Sequence, residues 1–207
     1  LAGEKESVAF MAGEAAERAL RNAGLDGSSV EMVLAATMSA EQAMPGIAAQ
    51  VQKRIGAGGA ASFDINSACT GFLAALNTAQ TYIEAGIYKT VLVVGAEKLS
   101  SLVDWKDRNS CILFGDGAGA VVLKADPEGL YVQVSHSEGE KGQALTAPKN
   151  GFLQMDGRAV FEFAVSRVPE VIREVLKKAG IEKEEVDFYL LHQANRRIIS
   201  AAAKRLG

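Results

Sequence analysis

The chain has 207 residues, 48% of them hydrophobic and 23% charged, with a formal net charge of −3. That is enough apolar mass for a full core, too much for a disordered chain, and no global charge to draw it to nucleic acid or an anionic membrane. Two cysteines, Cys69 and Cys111, in an α/β pattern without a signal sequence argue against a disulfide framework and for a reducing cytoplasm, and no apolar run is long enough to span a bilayer.

Apolar groups at Val8, Met11, Ala15, Ala19 and Ala23, with Leu20 beside them, predict a helix that Gly24 ends in a left-handed cap. The run Val30 to Ala36 reads as a buried strand, and a helix follows from about Gly46 to Ile55. Strand 61–65, a helix from about Thr70 to Ala85 and strand Thr90 to Gly95 come next. The Val91-Leu92-Val93-Val94 core of that last strand implies cover on both faces. Helices between such strands mean parallel βαβ crossovers. Cys111 to Ala125 and Leu130 to Ser135 read as two further strands forming an antiparallel pair, and 138–156 as a linking loop. Phe161 to Ala179 predicts a helix, kinked at Pro169 and ended by Gly180. Strand Val186 to Leu191 and a helix from about Ala194 to Leu206 complete the chain.

Two stretches echo each other. Arg21-Asn22-Ala23-Gly24-Leu25 precedes Val30-Glu31 as Lys177-Lys178-Ala179-Gly180-Ile181 precedes Val186-Asp187, and Lys53-Arg54-Ile55-Gly56 is matched by Lys204-Arg205-Leu206-Gly207. This pattern predicts a duplicated unit. It divides the chain into a first half, 1–125, and a second, 126–207, made of a linker and the start of the repeat. The second copy has no counterpart to the segment beyond Gly56 in the first. The chain therefore reads as cut at both ends, with a C-terminal piece on the order of a few tens to a hundred residues absent, since a half-built sheet leaves edges bare.

Cys69 sits where the extended segment 61–65 turns into a helix. Unpaired amide donors and the positive helix end meet there, which favours thiolate over thiol and sets a nucleophile against the alternative of a small buried apolar residue. His192 lies at the end of the second copy's strand, where open α/β sheets hold ligands, and a twofold relation between the copies would bring it to Cys69. The other histidine, His136, reads as structural. Gly115, Gly117 and Gly119 alternate at period two, which leaves one strand face without side chains and lets another backbone come close. They are no nucleotide fingerprint, because no helix opens after them. The last helix carries Arg196, Arg197, Lys204 and Arg205 without an acid, with Arg197 and Lys204 on one face. Such a face is either solvated or suited to an acidic partner.

Four blocks in order carry a family resemblance: Ser67-Ala68-Cys69-Thr70-Gly71-Phe72; Asp107-Arg108 leading into Leu113 to Ala120; Met155 to Phe161; and His192-Gln193-Ala194-Asn195 with Arg197-Ile198. Together they resemble β-ketoacyl-[acyl carrier protein] synthase III, over essentially the whole chain. The resemblance implies a thiolase-like duplicated five-layer αβαβα fold, here with its second half incomplete. It also implies a decarboxylative Claisen condensation that opens fatty acid synthesis, of acyl-CoA, in the first place acetyl-CoA, with malonyl-acyl carrier protein. Cys69 and His192 are the implied catalytic residues. Arg108 matches the arginine that packs on the CoA adenine, Met155, Phe161 and Asn195 match the phosphopantetheine channel, and Met44 matches the residue flooring the partner's acyl pocket in a homodimer. Arg197, Lys204 and Arg205 fall on the implied carrier-docking helix, while Glu162 stands where some members place a docking lysine. CoA and carrier thioesters are substrates, so no cofactor and no metal is expected, and neither nucleic acid nor membrane is a partner. The family's third catalytic side chain and second oxyanion donor fall beyond Gly207, so condensation by these 207 residues alone is expected to be lost or severely impaired. Rival readings are an acyl-CoA-dependent acyltransferase without condensation, a thiolase or hydroxymethylglutaryl-CoA synthase relative, and a noncatalytic interaction module on the same fold.

Overall fold

The computed structural model describes residues 1–108 and 110–207. They form two compact units, one of residues 1–103 and 114–128, the other of residues 104–113 and 129–207. Residues 104–113, expected in the first half, group with the second unit.

The first unit is a four-stranded sheet between helices. Helix α1 (Val8–Ala23) begins where the Ser7 hydroxyl accepts from the Phe10 amide, and it ends at Gly24 with φ 64°. Strand β1 (Met32–Ala36), helix α2 (Ile47–Arg54), strand β2 (Ala61–Ile65), helix α3 (Gly71–Glu84), strand β3 (Thr90–Lys98) and strand β4 (Asp116–Lys124) follow. The sheet order is β2-β1-β3-β4. β1 lies parallel to both neighbours, pairing Ala36 with Ile65 on one side and with Gly95 on the other, while β4 runs antiparallel to β3.

Alternation along the strands gives each face its own core. Val33, Ala35, Leu92, Val94 and Ala96 pack with Val8, Ala12 and Ala16 of α1 and Ile47, Ala48 and Val51 of α2. Met32, Leu34, Ala36, Val91 and Val93 pack with Ala75, Ala79 and Ile83 of α3 on the other side. Strands covered on both faces have no polar positions to alternate, which is why β1 and the first half of β3 read as continuous apolar runs. At the carboxyl ends of β1 and β3 the close approach is through glycine. A Cβ on Gly71 would lie 3.2 Å from that of Ala36, and one on Gly95 would lie 3.2 Å from the Phe72 ring, so the first turn of α3 rests on the sheet backbone.

In the second unit a two-stranded ladder, β5 (Leu145–Thr146) with β6 (Gln154–Met155), precedes helix α4 (Gly157–Ala179). α4 starts four residues earlier than the apolar stripe indicates, because the Asp156 side chain accepts from the Arg158 and Ala159 amides, and it runs through Pro169 to Gly180. Helix α5 (Arg196–Leu206) packs on it, with the Arg205 guanidinium donating to the Val165 carbonyl at 3.0 Å.

The repeat is visible in backbone detail. Gly24 and Gly180 both close a helix at positive φ, 64° and 71°, and the next residues Leu25 and Ile181 each bond back five residues, to Leu20 and Leu176. A short 3₁₀ turn then leads each copy out, Gly27–Ser29 in one and Lys183–Glu185 in the other.

Three expected strands are corrected. Residues 111–113 turn rather than extend, since Asp107 takes the Ser110 hydroxyl at 2.5 Å and its carbonyl takes the Cys111 amide, and β4 begins only at Asp116. Residues 130–135 carry no ladder, so the antiparallel pair is β3 with β4, and the Gln133 carbonyl instead accepts from Lys178 Nζ at 3.0 Å. Residues 186–191 are extended in sequence pattern but find no pairing strand among the described residues, leaving Phe188 82% and Leu190 92% exposed. A strand is a property of a pair, and composition reports only one member.

Candidate active site

Cys69 is delivered by a tight turn at the carboxyl end of β2. The Thr70 amide and hydroxyl both donate to the Ser67 carbonyl, at 3.1 and 2.8 Å, and the Ser67 and Thr70 hydroxyls meet at 3.0 Å. Ala68, immediately before the sulfur, holds φ 44°, the only positive φ outside glycine among the described residues. That conformation costs an L-residue roughly 1–2 kcal/mol and marks a backbone held where function needs it. The 3₁₀ turn Ala68–Thr70 runs directly into α3, so Cys69 stands at a helix N-terminus as the sequence indicates.

Its electrostatics differ from the sequence expectation. Cys69 is exposed at the surface, yet desolvation of its sulfur by the surrounding protein and then the Glu97 carboxylate push the thiol up, against the downward pull of its own backbone N–H. Ionisation at this sulfur is therefore disfavoured within the chain, a correction to the reading that the helix end alone favours thiolate. Both cysteines are free thiols.

Glu97, which ends the apolar run of β3, escaped the sequence reading. Its carboxylate accepts from the Met38 amide at 2.8 Å, from the Ser39 hydroxyl and from Thr37 Oγ1 at 3.4 Å, and Ser39 Oγ in turn accepts from the Lys98 amide at 2.8 Å. Burial outweighs these bonds and pushes the Glu97 carboxyl up. A period-two count from Val91 and Val93 to Gly95 and Glu97 was the available signal, since it puts an acid on the face that α3 covers.

Asp64 on β2 is a second residue missed. It accepts from the Ile47 amide at 2.8 Å and the Ala48 amide at 2.7 Å, so a strand side chain caps α2 from outside the helix. The loop leading into that cap carries Met44, 82% exposed and joined to Pro45 by a cis peptide bond. Gly117 and Gly119, opposite Glu97 and Gly95, would offer a Cβ open space, with nothing within 4 Å rather than an approaching backbone.

The other expected site residues belong to the second unit. His192 is exposed, between the unpaired segment 186–191 and α5. Asn195 caps α5, its Oδ1 accepting from the Arg197 amide at 2.8 Å, which leaves its amide group as the part able to face a ligand. Arg108 is exposed in the turn after Trp105, Met155 is half-buried in β6, and Phe161 is 36% exposed on the first turns of α4. Arg197 and Lys204 are exposed beside Asn195, Ser200 and Ala201 along an open groove on α5, whereas Arg205 is engaged with α4. His136, read as structural, meets Glu174 at 2.7 Å.

A mixed sheet with a parallel β2-β1-β3 core, carrying a cysteine on a strained turn ahead of a helix, fits the class that its relatives define, the thiolase-fold condensing enzymes. Residues 63–139 match the family model described as 3-oxoacyl-[acyl-carrier-protein (ACP)] synthase III, and residues 176–207 match that of its C-terminal part. The chain belongs to the β-ketoacyl-[acyl-carrier-protein] synthase III family. It is 42% identical over 216 residues to the synthase III of Streptococcus equi subsp. zooepidemicus, covering 98% of this chain and 67% of that protein, and 44% identical over 205 residues to that of Aquifex aeolicus, covering 98% and 66%. The crystal structure of the Aquifex aeolicus enzyme superposes with a TM-score of 0.95 at 43% identity, over 99% of this chain and 67% of that one. The priming β-ketosynthase of the R1128 polyketide pathway superposes with a TM-score of 0.95 at 33% identity, over 100% of this chain and 66% of that one. The chain thus spans about two thirds of the length of the relatives it matches.

Proposed function

We propose that the protein carries out the initiating condensation of fatty acid synthesis, with Cys69 as the acyl-bearing nucleophile. The Cys69 thiolate attacks the carbonyl of acyl-CoA, acetyl-CoA being the simplest primer, and the CoA thiolate leaves. Malonyl-acyl carrier protein then loses carbon dioxide, and the resulting enolate carbon attacks the thioester carbonyl. The Cys69 sulfur departs and a 3-ketoacyl carrier product remains. Cysteine suits both halves, being a soft nucleophile and a good leaving group.

His192 donates a hydrogen bond to the enolate oxygen, and the Cys69 backbone N–H serves as one oxyanion donor. Arg108 stacks on the adenine of CoA, where a guanidinium plane is well matched. Met155, Phe161 and the Asn195 amide line the pantetheine arm, and Met44 floors the partner's acyl pocket in a homodimer. Arg197 and Lys204, with Arg205 behind them, meet the acidic carrier. The compartment is the cytoplasm, in keeping with two free thiols and thioester substrates. No helix among the described residues is long and apolar enough to cross a membrane.

The observation that carries this reading is the seat of Cys69, on a positive-φ turn at a helix start and a sheet's carboxyl end. The protein expressed from its complete reading frame should release labelled carbon dioxide from malonyl-acyl carrier protein only when acetyl-CoA is present. Acyl uptake without carbon dioxide release would instead make it a simple transferase.

A further inference from the structure

Glu97 is a half-buried acid that the proposed reaction does not use, and the sheet places it on the face where the nucleophile's turn sits. Gly95 touches Phe72 of α3, and Gly71 touches Ala36 of β1, so the start of α3 lies over the ends of β1 and β3. Cys69 precedes Gly71 by two residues and Glu97 follows Gly95 by two. Strand residues two apart share a face, so Glu97 points to the side of the sheet where α3 and the Cys69 turn sit. Thr37 and Ser39, just past β1, hold its carboxylate from the neighbouring strand.

We propose that Glu97 is a positioning residue for Cys69: it ties the segment after β1 to the end of β3 beneath the sulfur, and its protonation sets how readily that sulfur ionises. A charged Glu97 opposes ionisation of the sulfur and its acylation, and a neutral one lifts that opposition. Burial first and then the Glu97 charge hold the thiol up, while the Glu97 carboxyl is raised by its own burial.

Apart from the second unit's His192, which the proposed reaction uses at the Cys69 thioester, few other charges among the described residues of the first unit face the pair. Thr37, Ser39, Ser67 and Thr70 are neutral, α3 has no acid in its first turn, and its Glu84 lies at the far end. Asp64 is turned to α2 on the opposite face, and Lys98 with its partner Asp116 also lies opposite, Lys98 Nζ donating to the Gly3 and Glu6 carbonyls. Gly117 of β4 brings no side chain. Within the first unit Glu97 is therefore the acid placed to oppose ionisation of the Cys69 sulfur.

This inference deepens the condensing role and is tested apart from it. In the full-length protein, the rate of Cys69 alkylation by iodoacetamide is followed against pH, with Cys69 and Cys111 peptides separated. Glu97→Gln keeps the size of the side chain, and its amide can donate to the Ser39 and Thr37 hydroxyls while its carbonyl accepts from Met38. The expected result is a downward move of the Cys69 profile, read as a roughly tenfold faster alkylation at neutral pH. The wild-type protein gives an independent reading should the variant misfold: the logarithm of the rate should climb less than tenfold per pH unit across the Glu97 titration. An unshifted or upward-shifted variant profile, or in its absence a wild-type slope of ten throughout, overturns the proposal. Acetyl transfer from acetyl-CoA is scored on the same samples. A wild-type protein that takes up no acetyl group refutes the condensing role, while the alkylation profiles still decide the role of Glu97.

Discussion

Replacing Asp64 with alanine should unfasten the N-terminus of α2 from β2. Two amides lose their acceptor, those of Ile47 and Ala48, bonded at 2.8 and 2.7 Å. Both residues are fully buried, so water is a poor substitute. The carboxylate also fits tightly over Gly46, where a Cβ would come within 2.7 Å of Oδ2, so no other side chain is poised to replace it. A lost cap costs roughly 1 kcal/mol, and a hydrogen bond to a charged acceptor roughly 1.5–3 kcal/mol. The two amides share one carboxylate at a half-buried site, which sets the expected total at about 2–4 kcal/mol. With an m-value of about 2–3 kcal/mol/M, the urea midpoint followed by circular dichroism should fall by about 1 M. Asp64→Asn keeps one oxygen for one amide and presents a donor to the other, so it should lose about half as much. Met44 lies two residues before Gly46, so on its proposed place at the acyl pocket the alanine variant should also relax primer chain-length preference. A midpoint unchanged by Asp64→Ala, or an asparagine variant as damaged as the alanine one, would refute the capping argument.

Three further outcomes are expected. Burial raises the folded-state pKa of Glu97 above its ordinary 4.5, so its stabilising contribution is complete below that value and is lost as pH rises through the raised one; Glu97→Gln should remove this part of the decline, and equal slopes of unfolding free energy against pH would contradict it. Arg197→Glu with Lys204→Glu should raise KM for malonyl-acyl carrier protein about tenfold and spare acyl loading from acyl-CoA; equal effects on both would place docking elsewhere. Ala68→Gly removes a positive-φ strain worth about 1 kcal/mol while loosening the turn, so Tm should hold or rise as Cys69 alkylation slows, and a fall in Tm would speak against a strained turn.

The legible parts of the fold were those set by local rules. The Gly24 and Gly180 caps, the helix stripes and the doubly covered runs of β1 and β3 each follow from neighbours a few residues apart. The Cys69 turn was legible for the same reason, being a strand-to-helix junction within a few residues. Pairing was not. Residues 130–135 and 186–191 have strand composition, but what decides a strand is the edge it meets. The site's supporting carboxylates were hidden similarly: Asp64 reaches amides 16 and 17 residues away, and Glu97 reaches hydroxyls 58 and 60 residues away. The upward shift of Cys69 comes first from burial of the sulfur and then from that second carboxylate. A helix N-terminus favours a thiolate, but burial of the sulfur and then a half-buried acid on the same face oppose it, and the sequence discloses only the first.

The most direct test of Cys69 as the nucleophile is the site of acylation. After incubation with acetyl-CoA and proteolysis, mass spectrometry should find the acetyl group on the peptide containing Cys69 and not on that containing Cys111, with Cys69→Ser abolishing thioester formation. An acetyl group carried elsewhere, or uptake undiminished in the serine variant, would contradict that assignment.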